Sequence, residues 1–295
     1  MLANDLKKNG YREFLAPAKL NLFLHVINKR TDGYHNIQTI FQLIDLCDSI
    51  FIKINTSGTI RRVSEHSMIQ ENDDLTIKAA QLLKPFAENK FGADIFIKKN
   101  IPMGAGLGGG SSDAATTLIA LNNLWRCKLK QRKLQELALE LGADVPFFIF
   151  GQNAWAEGVG EKLSPFCNPM QNYLIIAPNE RVSTKEVFES LELTKDRIPL
   201  KIAGFSGELD LKNLANDLEK GVLKKFKGIS LVFDWLNQFG FAKMTGSGSC
   251  IFISLNSVDV GKAILEKKPK DLIGFIVSGL DYHPHLNIVL GTEKP

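Results

Sequence analysis

Cysteine is scarce: Cys47, Cys127, Cys167 and Cys250 are the only four in 295 residues, and no two stand in a CxxC spacing. Neither a disulfide framework nor a zinc site is expected, and a reduced, cytoplasmic setting follows. No uninterrupted apolar run is long enough to cross a bilayer, and the opening MLANDLKKNGYREF lacks the apolar stretch of a secretory signal. No membrane partner is expected. An excess of one charge is lacking too. Lys and Arg number 36 against 32 Asp and Glu, a net +4 with no basic run. That balance suits anionic small molecules and offers no stripe for a nucleic acid. His283 and His285 flank Pro284 with no acid or cysteine cluster nearby, so they read as structural rather than as a metal site. His25 reads as a satisfied strand residue and His66 as exposed.

What is present is a globular chain, 44% apolar and long enough for one large or two mid-sized domains. Leu20 to Val26 alternates, with Leu20, Leu22, Leu24 and Val26 on one face and Asn21, Phe23 and His25 on the other. It reads as a half-buried strand, and Lys19 shares the face of Asn21. Ser49 to Ile54, Asp94 to Lys98, Tyr173 to Ala177, Cys250 to Leu255 and Leu272 to Val277 read as further strands. Helical spacing marks Asp74 to Phe86 (Asp73 as N-cap), a helix from Ser112 onward, Gln131 to Leu141, Thr184 to Leu191 and Val258 to Lys267. Phe147 to Phe150 is a short buried segment. Glycine, proline and polar residues gather between Gly158 and Met170, which places a domain boundary near residue 160, giving units 1–160 and 161–295.

Five of the seven residues from Gly104 to Gly110 are glycine. They predict a loop whose bare amides can approach a ligand, followed by a helix whose first turn carries free N–H groups and partial positive charge. Together these make an anion site, most naturally for phosphates. Ser111 and Ser112 can cap the helix, bond a phosphate or ligate magnesium; the plain alternative is a flexible linker into a capped helix. The fragment GxGxxG from Gly104 to Gly109 is a weak dinucleotide fingerprint here, because a second helix rather than a strand follows. A Walker A sequence and the protein-kinase motifs are absent.

The stretch Pro102 to Ala115, P-x3-GLG-GG-SS-x-AA, resembles the second motif of the GHMP kinase superfamily. Its two additional glycines are those of the branch that acts on diphosphocytidyl-methylerythritol. Ala16 to Asp48, Leu141 to Glu161 and Lys243 to Phe252 are similar to the other three motifs, in the same order. The resemblance implies an α+β, two-domain GHMP kinase fold, with an N-terminal domain like the second domain of ribosomal protein S5 and a ferredoxin-like C-terminal domain. It implies a cytoplasmic monomer or weak dimer that uses ATP and Mg2+ to phosphorylate the 2-hydroxyl of a small substrate carrying cytidine diphosphate. One departure stands out: the branch shows Asn-Leu where this chain has Asp74-Leu75, so an acid sits where an adenine neighbour is expected.

Carried over residue by residue, the resemblance makes Asp144 the catalytic acid-base group; read by itself, it is a helix cap or a functional carboxylate. Lys19 becomes its ion-pair partner, against the alternative of a lysine snorkelling from a strand edge. Pro102, Met103, Gly104, Ala105, Gly106, Leu107, Gly108, Gly109, Gly110, Ser111, Ser112 and Leu75 are implied to bind ATP, with Ser112 also the metal ligand. Tyr34, His35, Lys99 and Phe188 are implied to face the cytidine, with Asn21 near the acceptor hydroxyl. Alone, these five read as turn, solvated-loop, core or structural residues. Thr245 to Ser249 is implied to buttress the glycine loop, or is a plain tight turn.

Overall fold

The computed structural model describes residues 3–63, 73–190, 197–200 and 214–291. Two expectations, at His66 and at the helix end Leu191, lie outside the described residues. The alternating segment Leu20 to Val26 sits inside a longer strand, β1 (Arg12–Lys29), which follows helix α1 (Ala3–Lys8) and pairs antiparallel with β2 (His35–Asn55). The expected half-burial is not found: Asn21, Phe23 and His25 are as buried as Leu20 and Leu22. Phe23 packs against Trp155 and His25, so the face expected to be open is covered. The β1–β2 register shifts between Asn21 and Leu24, just past the side chains of Lys19 and Asn21. Such irregularities re-aim side chains and recur beside functional sites.

The remaining elements of the first half are β3 (Ile60–Arg62), α2 (Leu75–Leu83), β4 (Gly92–Lys98), α3 (Gly109–Leu124), α4 (Gln131–Leu141), α5 (Val145–Phe150), β5 (Ala154–Glu157) and β6 (Lys162–Pro165). A 3-10 turn, Lys84–Phe86, follows α2. Asp74 rather than Asp73 caps α2, its side chain accepting from the Thr76 amide. The helices pack on one another and on β1, β2 and β4 around a core that includes Ile50, Ile52, Leu118, Leu121, Trp125 and Phe147.

The second half adds β7 (Asn172–Ala177), α6 (Thr184–Glu189), α7 (Glu219–Lys225), α8 (Lys227–Leu236), β8 (Lys243–Met244), β9 (Ile251–Leu255), α9 (Val258–Glu266), β10 (Ile273–Leu280) and α10 (Leu286–Val289). The strands run in the order β3-β4-β2-β10-β7-β9-β8, with β1 and β5 also paired to β2 and β6 to β5. The two halves are not sealed off. Leu24, Val26 and Ile37 of β1 and β2 belong to the core beneath α7 and α8, while Ile288 and Val289 of α10 return to the first core. This interlocking sets the glycine loop and the turn Thr245 to Ser249 face to face.

Candidate active site

The loop Pro102 to Gly108 runs from β4 into α3. Gly106 has φ +79°, and a Cβ there would stand 2.2 Å from the Thr245 carbonyl oxygen, so only glycine lets the two backbones meet. Thr245 to Gly248 thus lies directly against the loop, held further by the Cys250 amide donating to the Ala105 carbonyl at 3.1 Å. On the other side the Lys19 amide donates to the Leu107 carbonyl at 3.0 Å. Gly108, at φ +71°, is the N-cap of α3 and gives no side-chain cap.

That start corrects two expectations. Gly109 and Gly110 are the first turn of the helix, not loop; first-turn amides have no intrahelical partner to lose, so glycine is tolerated there and its amides stay free. Neither serine caps. Because the helix starts three residues before Ser112, that residue falls on the core face: it is fully buried, does not line the cavity, and its Oγ has no protein partner. Ser111 is the serine on the cavity wall. Among the described residues no group of three or more His, Cys, Asp or Glu could hold a metal. The donors on the wall, Ser111 and Asp144 among them, fit a magnesium ion carried largely by phosphate oxygens, the usual habit of Mg2+ at triphosphates.

The loop borders a cavity of about 1320 Å3. Lys19, Asn21, Asp144, Leu75, Tyr34, His35, Lys99 and Phe188 all line it, together with the loop residues. Lys19 is buried, and its ammonium donates to Asn21 Oδ1 at 2.5 Å and stands 3.3 Å from Asp144 Oδ2 and 5.2 Å from the centre of the Phe41 ring. Asn21 is oriented in turn by Thr39 Oγ1, 2.9 Å from its Nδ2. A Cβ on Gly108 would lie 3.1 Å from the Lys19 side chain, so the ammonium stem runs along the loop. Asp144 stands at the N-cap position of α5 yet makes no capping bond, which leaves its carboxylate facing the cavity.

At one end of the cavity His35 stacks on Phe188, ring centres 5.3 Å apart and 30° between planes. Burial, with help from Lys29, holds the His35 imidazole below its usual range, so the ring is neutral at pH 7. Tyr34 is exposed beside it. Thr184 at the start of α6, the helix that carries Phe188, shares a 2.7 Å hydroxyl contact with Ser247 of the turn Thr245 to Ser249. At the other end Asp74 Oδ2 pairs with Arg62 at 2.5 Å while Oδ1 caps Thr76, and Leu75 lies 3.7 Å from where a Gly110 Cβ would be.

Lys99 is not tied to the His35 end. Its ammonium pairs with Asp48 and, at 2.6 Å, with Asp113 in the first turns of α3. Burial pushes the Asp113 carboxyl up to about 7, with Lys99 pulling against it. Burial also opposes the charge on Lys99, but the two carboxylates outweigh it and raise its pKa. Sequence reasoning missed Asp48, Asp113 and Arg62. The signal available was Asp113 itself, an acid set directly after two serines at the start of an otherwise apolar helix.

These features define a kinase of the GHMP class, and the comparisons agree. The GHMP kinases N terminal domain family matches residues 74–152, and the GHMP kinases C terminal family matches residues 203–267. The chain is 47% identical over 276 residues to a 4-diphosphocytidyl-2-C-methyl-D-erythritol kinase of Thiobacillus denitrificans, covering 94% of this chain and 98% of that one. It is 48% identical to that of Nitrosomonas europaea over 92% of this chain and 98% of the relative. A crystal structure of 4-(cytidine 5'-diphospho)-2C-methyl-D-erythritol kinase superposes with a TM-score of 0.76 at 32% identity, covering 91% of this chain and 99% of that one. The Methanococcus jannaschii mevalonate kinase shares the fold, with a TM-score of 0.66 at 18% identity over 92% and 99% of the two chains. The chain belongs to the 4-diphosphocytidyl-2-C-methyl-D-erythritol kinase family.

Proposed function

We infer that this chain transfers the γ-phosphoryl group of ATP to the 2-hydroxyl of 4-diphosphocytidyl-2-C-methyl-D-erythritol, a step of the non-mevalonate route to isoprenoid precursors. The observation that carries the reading is the Lys19–Asp144 pair, 3.3 Å apart, beside a loop of free amides in a cavity of about 1320 Å3. That volume exceeds the roughly 300–1,000 Å3 typical of a single small-molecule site, which suits two nucleotide-sized ligands at once.

The donor triphosphate lies along the amides of Gly104 to Ser111, with its base toward Leu75. The acceptor places its cytosine at the His35–Phe188 rings, with Tyr34 beside them, so its hydroxyl falls near Asn21, Lys19 and Asp144. Asp144 accepts the hydroxyl proton as the alcohol oxygen bonds to the γ-phosphorus. The bond from that phosphorus to the bridging oxygen breaks, and ADP leaves with the electron pair. The Lys19 ammonium fixes the Asp144 carboxylate and offsets charge on the transferring oxygens. Magnesium, held at Ser111, would supply further neutralisation of phosphate charge.

We place the two units at residues 1–160 and 161–295, which sets the matches at 74–152 and 203–267 on either side of the boundary. We also propose a cytoplasmic monomer or weak dimer that works without nucleic acid; the net charge of +4 supports the last point. Among the described residues no helix is long and apolar enough to cross a membrane. The test is ADP release coupled to a reporter, with the cytidine-linked alcohol, mevalonate and homoserine as separate acceptors. Turnover confined to the first is expected. Turnover of another alcohol, or ATP binding with no acceptor used, sinks the reading.

A further inference from the structure

We propose that Lys99 is a positioning residue for the donor triphosphate, clamping both ends of the glycine loop through Asp48 and Asp113, rather than a residue of the cytidine side. This rests on the kinase reading above. Asp48 is fully buried near the middle of β2. Its Oδ1 accepts from the amides of Asn100 and Ile101 at 2.5 and 2.8 Å, the two residues that lead into Pro102. Its Oδ2 takes the Lys99 ammonium. The same ammonium reaches Asp113 Oδ2 at 2.6 Å on the first turns of α3, beyond the far end of the loop. One cation therefore ties the strand before the loop to the helix after it.

The ammonium also lies 3.4 Å from where a Gly109 Cβ would stand, against the first turn of α3. A shift of the loop ends by a fraction of an ångström misdirects the loop's amides, because preorganised donors act only when aimed. Removing the ammonium leaves two buried carboxyl groups with no cation between them, Asp48 keeping only its two amide donors, an arrangement that low-dielectric surroundings penalise. The loop would relax to separate them. The acceptor end, built on His35 at the start of β2 and Phe188 of α6, contributes no side chain to this cluster; Asp48 stands 13 residues farther along β2.

The experiment compares both Michaelis constants. Lys99→Met should raise KM for ATP by about tenfold or more and leave KM for the acceptor within about twofold, with Lys99→Arg, which can also bridge two carboxylates, restoring most of the loss. Calorimetry with ADP should show the same weakening and does not depend on which acceptor is used, so it separates this proposal from the reading of the reaction. If Lys99→Met does not fold, Asp113→Asn decides, and the same split at smaller size is expected. A rise confined to the acceptor KM, equal rises in both, or unchanged ADP affinity overturns the proposal.

Discussion

The ammonium of Lys19 stands between two oxygens, 2.5 Å from Asn21 and 3.3 Å from Asp144, with almost none of its side chain open to water. An ion pair so shielded is strongly orienting, because a buried charge left without its partner is costly. Asp144 is the less buried of the two and faces the cavity, so it is the member free to meet an incoming hydroxyl.

Asp144→Asn should therefore lower kcat by at least about a hundredfold, the usual share of a positioned acid-base group. The amide keeps the size of the carboxylate, so ADP affinity should stay within about threefold. Stopped-flow turnover and calorimetry measure the two quantities. Equal losses in both would mean that Asp144 shapes the nucleotide site instead of handling the proton.

Two glycines of one loop should behave differently. Gly106→Ala puts a methyl 2.2 Å from the Thr245 carbonyl at φ +79°, against backbone that has nowhere to go. ATP affinity should fall by more than about tenfold, and thermal stability should fall with it. Gly104 also has positive φ, +67°, but a methyl there meets open space. Gly104→Ala should cost only the left-handed backbone penalty of about 1–2 kcal/mol, with ATP still bound. Similar behaviour of the two variants would remove the packing of Gly106 on Thr245 from the account.

The stacked pair of His35 and Phe188 predicts an effect limited to the acceptor. Base stacking on one aromatic ring is worth about 1–3 kcal/mol, so Phe188→Ala should raise the acceptor KM by about tenfold or more. KM for ATP should not move, and Phe188→Tyr should restore most of the affinity. A change in the ATP constant instead would show that α6 acts through its Thr184–Ser247 contact with the turn Thr245 to Ser249.

Much of this architecture was legible in the chain. Apolar spacing placed the helix at Gln131 to Leu141 with both ends correct, and alternation put Lys19 and Asn21 on one face, where their side chains bond. The start of α3 was not legible. Serine is a better cap than glycine by propensity, but the backbone at Gly108 is left-handed because the loop is packed between β1 and Thr245, a tertiary cause. The burial of β1 on both faces was hidden for a like reason: Trp155, which covers it, lies 132 positions from Phe23. The neighbours of Lys99 stand 51 and 14 residues away, with no local pattern to announce them.

His283 predicts how the fold responds to acid. It is buried against α3, its Nδ1 accepting from the His285 amide and its Nε2 3.2 Å from Thr116 Oγ1, so the proton sits on Nε2. Burial first, and then His285, hold its pKa down to about 3 against an ordinary 6.5. The unfolded chain thus binds a proton that the folded one refuses, and stability falls as pH drops through the window between those values. Each pH unit inside the window costs about 1.4 kcal/mol, so moving from pH 7 to pH 5 should cost the wild type about 2 kcal/mol through this residue alone. His283→Gln keeps a donor near Thr116 but cannot titrate. Urea unfolding of both proteins at the two pH values isolates the difference, since carboxylate effects are common to each. Parallel losses would mean that His283 takes up its proton within the folded core.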